Sequence, residues 1–288
     1  LTGSVKPMSF AELGMLEETI KIVENNITKT HGMILATGPT GSGKTTTLYA
    51  ILNKLNRPEV NIITLEDPIE YELKYINQIQ VNPKAGIDFA NGLRAILRQD
   101  PNIIMVGEIR DNETAEIAVN AALTGHLVLS SLHTNDAPTA VPRLFDMNIP
   151  PFLVSATVNM IIAQRLVRRI CKECIESYEV DSSLCDSVNQ QLKITKGKFA
   201  PVFKPKFLYR GKGCKSCGYT GFRGRVAIYE AFDVNEKARE YIQRPDFSID
   251  GLRNIAFSQG MKTMFEDGLA KAELGQTTIE EVLRVIKE

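Results

Sequence analysis

The chain has 288 residues, 43% of them hydrophobic, and its 34 Lys and Arg balance its 34 Asp and Glu. That length allows one large domain or two to three small ones, each with core to spare. The neutral balance gives no global pull toward nucleic acid or anionic lipid, no export signal is visible, and apolar stretches such as 150–162 are too short and too polar to span a bilayer.

A chain that opens on Leu1 rather than Met reads as part of a longer one. From Ser9 to about Thr28, Phe10, Leu13, Leu16, Ile20 and Val23 recur at helical spacing and predict a lead-in helix within 1–30. Short, mostly apolar runs follow at 34–37, 61–65, 103–107 and 127–132. Helical patterns fill 44–55, 88–98 and 112–123, the last framed by an Asp111/Asn112 start and a Gly125 stop. Such alternation predicts an α/β fold, a mainly parallel sheet covered by helices, over 31–169. Segments 136–145 and 150–168 read as two more helices. Cysteines, loops and short aromatic strand signals fill 170–232. Helical spacing returns over 233–288, which is expected to be a C-terminal helical subdomain.

Gly38-Pro39-Thr40-Gly41-Ser42-Gly43-Lys44-Thr45 has the form G-x-x-x-x-G-K-T between a buried strand and a helix that continues through Thr46. The glycines let backbone N–H groups turn inward on a polyphosphate, Lys44 reaches the β- and γ-phosphates, and the Thr45 hydroxyl holds Mg²⁺. The helix N-terminus adds its own attraction for the anion. Residues 38–46 are therefore the predicted ATP/ADP-binding set.

Ligands of an open α/β sheet sit beyond the carboxyl ends of its strands. Glu66 and Asp67 end the run 61–65, Glu108 ends 103–107, and His133 ends 127–132, so all four are expected near Thr45. Hydrolysis of a nucleotide needs an acid for the metal shell, a carboxylate to activate water and a polar group at the γ-phosphate. Glu108 is placed like a Walker B acid, Glu66 like a RecA-type base, and His133 as the γ-phosphate reporter. His126 lies ~23 Å from His133 along the same strand and His31 precedes its strand, so neither shares the site.

These residues carry a resemblance. Thr64-Leu-Glu-Asp-Pro-Ile-Glu-Tyr71 resembles the aspartate box of the secretion or "traffic" ATPases. Leu97-Arg-Gln-Asp-Pro-Asn-Ile-Ile-Met-Val-Gly-Glu-Ile-Arg-Asp111 resembles their atypical Walker B motif, with Glu where most P-loop proteins have Asp. Thr124-Gly-His-Leu-Val-Leu-Ser-Ser-Leu-His-Thr-Asn-Asp136 resembles their histidine box. The likeness runs from about residue 8 to 288. It implies a RecA-like motor domain in a homo-hexameric ring, cytoplasmic, held at the inner membrane through a platform protein, and powering type IV pilus assembly or type II secretion. It also implies catalytic roles for Glu66, Glu108 and His133, without saying which glutamate removes the proton. Family members supply arginines from an N-terminal region, so this chain alone is expected to bind nucleotide and turn it over weakly.

Cys171-Lys-Glu-Cys174 and Cys214-Lys-Ser-Cys217 are two C-x-x-C pairs, and four such thiolates suit tetrahedral Zn²⁺. The intervening 175–213 exceeds the usual finger gap. Disulfides or free core thiols are the other readings; the first suits a secreted protein, which nothing here signals. A closed four-cysteine site is structural, and Cys185 is an ordinary thiol. The resemblance agrees, because the pilus-assembly and type II secretion branches carry this tetracysteine and the pilus-retraction branch lacks it. Together with His133-Thr-Asn-Asp-Ala-Pro it favours pilus assembly over type II secretion. The different-class alternatives are a RecA-like nucleic-acid translocase, opposed by the neutral charge and the absence of a basic aromatic strip, and a non-hydrolysing switch, which needs no paired glutamates.

Overall fold

The short apolar runs of the first half form strands, and the patterned stretches between them form helices. The computed structural model of the protein describes residues 8–287. In order they form α1 (Glu17–Ile27), β1 (Gly32–Thr37), α2 (Lys44–Leu55), β2 (Ile62–Glu66), β3 (Asn77–Gln80), α3 (Phe89–Ile96), β4 (Ile103–Val106), α4 (Asn112–Leu123), β5 (Leu127–Leu132), α5 (Ala140–Asp146) and α6 (Pro151–Thr157). Then come β6 (Val158–Ile170), β7 (Ile175–Glu179), α7 (Ser182–Lys196), β8 (Phe207–Gly211), β9 (Phe222–Asp233), α8 (Glu236–Ile242), α9 (Ile249–Ser258), α10 (Met264–Glu273) and α11 (Ile279–Lys287).

The main sheet has the order β3-β2-β4-β5-β1-β6-β9. The pairings β3/β2, β2/β4, β4/β5, β5/β1 and β1/β6 are all parallel. Every residue of β1, β2, β4 and β5 is buried, as a parallel sheet covered on both faces requires. α4 starts where expected, with the Asp111 carboxylate accepting from Thr114 N at 2.8 Å, so a first-turn donor is satisfied. α1 is shorter than its pattern, because residues 10–14 form turns and Gly14 sits at φ 89°.

Three elements depart from the expected order. The helix expected over 150–168 stops at Thr157, and Val158 begins a strand that pairs with β1 from Met33↔Val158 to Thr37↔Ala163. Its first seven residues are all buried, so it shows no alternation, and a continuous apolar run reads alike as strand or buried helix. β3 is a polar strand with no buried residue. α7 lies inside the stretch read as loops and strands; Asp181 caps it, its carboxylate accepting from Leu184 N at 2.7 Å, and Val188 and Leu192 are buried one turn apart.

By contacts the described chain forms two units. One takes the residues up to Gln164 with Ala231–Ala256, the other Arg165–Glu230 with those from Phe257 on. α8 and α9 up to Ala256 thus group with the first unit, α10 and α11 with the second.

The second unit carries buried charge. Lys271 donates to the Asp267 carboxylate and, at 2.6 Å, to Ala227 O, while Tyr229 N donates to Asp267 at 3.0 Å. Glu281, 3% exposed at its side chain, accepts from Arg168 N at 3.0 Å and from the Arg168 and Arg284 guanidiniums at 2.6 and 3.0 Å. Burial works against its ionisation, but the two guanidiniums outweigh it and bring the carboxyl to about 2. A folded value below the unfolded one contributes stability above roughly pH 4.3 that is lost as pH falls toward about 2. Glu281→Gln should therefore lower the unfolding temperature at neutral pH and flatten its decline on acidification. Calorimetric scans that keep the wild-type acid limb would contradict this.

Candidate functional site

The chain leaves β1 at Thr37, wraps through 38–43 and enters α2 at Lys44. Gly38 has φ 141°, and a Cβ there would lie 2.5 Å from Gln164 O and 2.7 Å from Ser42 Oγ, so only glycine fits. Gly43 caps α2 in the left-handed region without a side-chain bond, which leaves first-turn N–H groups to serve an anion. Lys44 Nζ donates to Gly38 O at 2.8 Å and Pro39 O at 3.2 Å. Burial pulls its pKa below the usual lysine range, and the negative Glu108 pulls back.

Glu66, Glu108 and His133 all stand at the carboxyl ends of adjacent strands, because register pairs Leu65 with Val106 and Val106 with Ser130. Glu108 and His133 meet directly, Nε2 to Oε1 at 2.6 Å. Arg110 holds the other Glu108 oxygen at 2.7 Å. Of the other arginines near this motif, Arg94 pairs with Glu113 at 2.5 Å and takes no part.

Glu66 is set apart. It is 2% exposed. Its carboxylate accepts from the Tyr49 hydroxyl, from Thr64 Oγ1 at 2.5 Å and from Gln78 Nε2 at 3.1 Å. The geometry thus joins Glu108, His133 and the field of Lys44, and gives Glu66 a buried set of its own. His126 Nδ1 faces Ala121 O at 3.0 Å and His31 Nδ1 faces Thr30 Oγ1 at 3.1 Å, both before their strands.

The pattern reading missed Tyr49, Gln78 and Gln164. Gln164 Nε2 donates to Ser42 O at 2.8 Å, while its Oε1 is buried without a partner, as is Ser42 Oγ. Tyr49 lies among the buried residues of α2, Gln78 in an unrecognised strand and Gln164 in the run read as helix; only the pairing of Ala163 with Thr37, where β1 gives way to the P-loop, would have flagged it.

In the second unit the Sγ atoms of Cys171, Cys174, Cys214 and Cys217 lie within 4.8 Å of one another. Cys171–Cys214 and Cys174–Cys217 are 3.9 Å apart and Cys214–Cys217 3.7 Å. Zn–S bonds of ~2.3 Å give a tetrahedron with edges of ~3.8 Å, which these three separations match. Cys214 N and Gly221 N donate to Cys217 Sγ at 3.2 and 3.3 Å and bring that thiol down to about 6, while burial pushes the Cys174 thiol up to about 12.

A parallel sheet with a P-loop after one strand, and with acids and a histidine at the ends of its neighbours, defines a P-loop nucleotide-binding fold of the ATPase kind. The chain belongs to the Type II/IV secretion system protein family, whose model matches residues 1–284. It is 50% identical over 278 residues to the Type II secretion system protein E of Dickeya dadantii (strain 3937), an alignment that covers 96% of this chain and 53% of that protein. It is 47% identical over 272 residues to the Type IV pilus assembly ATPase PilB of Thermus thermophilus, covering 94% of this chain and 30% of that one. Among solved structures, that of the pilus retraction motor PilT with bound ADP matches with a TM-score of 0.70 at 30% identity, over 99% of this chain and 68% of that chain. The chain spans about half the length of the type II relatives it matches. The likeness extends about equally to both kinds of machine.

Proposed function

We propose that this chain is the motor domain of an ATPase that hydrolyses ATP to ADP and phosphate to drive type IV pilus assembly. The single observation that carries hydrolysis is the contact of Glu108 with His133 at the strand ends, in the field of the P-loop lysine. Residues 38–46 bind the nucleotide, and Lys44 pairs with its β/γ-phosphates. Mg²⁺, held through Thr45, neutralises phosphate charge when bound. Glu108 takes the proton from water as the water oxygen bonds to the γ-phosphorus, and the β–γ bridging bond breaks with its electrons leaving on ADP. His133 orients Glu108 and faces the γ-phosphate. We assign the proton to Glu108 because 15% of its side chain stays exposed, whereas Glu66 is buried beneath three donors.

Cys171, Cys174, Cys214 and Cys217 hold a structural Zn²⁺. The reading extends to a cytoplasmic homo-hexameric ring docked on an inner-membrane platform protein, supported by membership of the family, with no nucleic acid as substrate. No described helix is long and apolar enough to cross a membrane, which suits docking through protein partners. Type II protein secretion is the second reading, favoured by the similarity to the Dickeya protein. A working division for truncations is 1–30, 31–169, 170–232 and 233–288.

Lys44→Ala tests the core of this. The variant loses the mobile charge on the β/γ-phosphates, so ADP affinity by titration calorimetry should fall roughly 10–100-fold, the range for a charge-assisted bond. Unchanged affinity in a folded variant would refute nucleotide binding at the P-loop.

A further inference from the structure

Thr64 and Glu66 are two residues apart in β2 and therefore share a face. Register pairs Thr64 with Gln78 of β3, which brings Gln78 onto that face as well. Tyr49 of α2 reaches the same point, with its hydroxyl on Glu66 and Gln78 Nε2 donating to it at 3.3 Å. Tyr71, from the segment that follows Glu66, sets its ring edge-on to Tyr49 at 4.7 Å between centroids. Burial, reinforced by the bond to Glu66, pushes the Tyr49 phenol far above its usual range, so it stays a donor at every working pH.

Glu66 is also tied to the catalytic strand end. Gly107 N donates to Leu65 O at 2.8 Å, and a Cβ on Gly107 would lie 3.5 Å from Glu66 Cα. Gly107 is the residue before Glu108. A continuous chain of contacts thus runs from Lys44 along α2 to Tyr49, across to Glu66, and through Gly107 to Glu108. It links the group that holds the phosphates to the group assigned to activate water, so their separation depends on each link. Errors of ~1 Å in that distance are costly to turnover while binding needs only the loop.

We propose that Tyr49, with Thr64 behind it, is a positioning residue that acts through Glu66, spacing the P-loop helix from Glu108. The proposal rests on the reading of this site as hydrolytic, with Glu108 as the group that activates water. Tyr49 touches no nucleotide and takes no proton. Its hydroxyl holds a buried carboxylate in one place, and Gln78 and Tyr71 hold the hydroxyl.

A double-mutant cycle on MgATP turnover tests this, with ADP affinity and melting temperature measured alongside. Tyr49→Phe keeps the ring and removes the hydroxyl. It should lower kcat roughly tenfold, as loss of one bond to a charged group does, and leave ADP affinity within about twofold. In a Glu66→Ala background the same change should cost little more, because the hydroxyl no longer has its acceptor. Wild-type kcat in Glu66→Ala would overturn the positioning role of Glu66 and Tyr49 while leaving hydrolysis at Glu108 standing. Impaired Glu66→Ala with wild-type kcat in Tyr49→Phe would leave the role of Glu66 standing and overturn the role of Tyr49. Losses that multiply in the double variant would also overturn it, since a merely structural tyrosine acts independently. Should Tyr49→Phe not fold, Thr64→Val enters the same cycle, and full turnover there overturns the proposal.

Discussion

Glu108→Gln should bind ADP and fail to turn over ATP, with phosphate release falling roughly 10²–10⁴-fold, the usual worth of a positioned proton acceptor. The amide has the shape of the acid but cannot take a proton. It also offers one acceptor oxygen where the carboxylate uses two, one on His133 and one on Arg110, so one of those contacts is lost. Binding survives because the loop, the α2 N-terminus and Lys44 are untouched. A second effect distinguishes this site from an acid that acts alone. Burial lowers the pKa of Lys44 and the charge of Glu108 raises it. Removing that charge lets Lys44 lose its proton at lower pH, so the alkaline limb of ADP affinity should move to lower pH in the variant. Phosphate release at the wild-type rate would sink the assignment of Glu108. A fixed alkaline limb would show that Lys44 and Glu108 do not interact in solution.

Most of the first unit could be read before its structure was known, and the reasons are local. β1, β4 and β5 are short, apolar and bounded by turn signals, and the polar residues that follow them can only end at one edge of a parallel sheet. That logic places Glu66, Glu108 and His133 by strand end, without knowledge of any side-chain contact. It does not tell a carboxylate at the mouth of the site from one turned beneath it. Glu66 and Glu108 have the same signature, yet one is 2% exposed at the residue and the other keeps 15% of its side chain open. The difference is made by Tyr49 and Gln78, which lie 17 and 12 residues from Glu66 on other elements and have no pattern of their own. β6 was misread for a related reason. A strand covered on both faces loses the period-2 signal that separates it from a buried helix. Its polar residue Gln164, bonded to the P-loop, was hidden with it. The cysteine cluster was legible because two C-x-x-C knuckles bring four sulfurs together whatever fold surrounds them.

Cys214→Ser should release one zinc ion per chain and loosen the segment around both knuckles while leaving ADP binding intact. The two knuckles are held together by more than sulfur. Cys171 N donates to Gly221 O at 2.9 Å, and Lys212 N to Cys174 O at 3.0 Å. The Gly211 and Gly221 backbones approach so closely that a Cβ on Gly211 would lie 2.1 Å from Gly221 O, which no other residue tolerates. The β7/β8 ladder starts at Ile175↔Gly211, one residue past Cys174 and shortly before Cys214. It is a two-stranded sheet, marginal by itself. A structural zinc contributes about 10–16 kcal/mol of apparent binding energy in small domains, and loss of one thiolate forfeits much of it. Fraying should therefore begin at the Ile175 end of the ladder and spread through 170–232, read as faster amide exchange there. The P-loop belongs to the other unit and loses none of its bonds, so calorimetric ADP affinity should hold. Elemental analysis of the wild-type chain should give about one zinc. No metal, with Cys171, Cys174, Cys214 and Cys217 found in disulfides by mass spectrometry, would overturn the site. Full zinc occupancy in Cys214→Ser would remove Cys214 from its ligands.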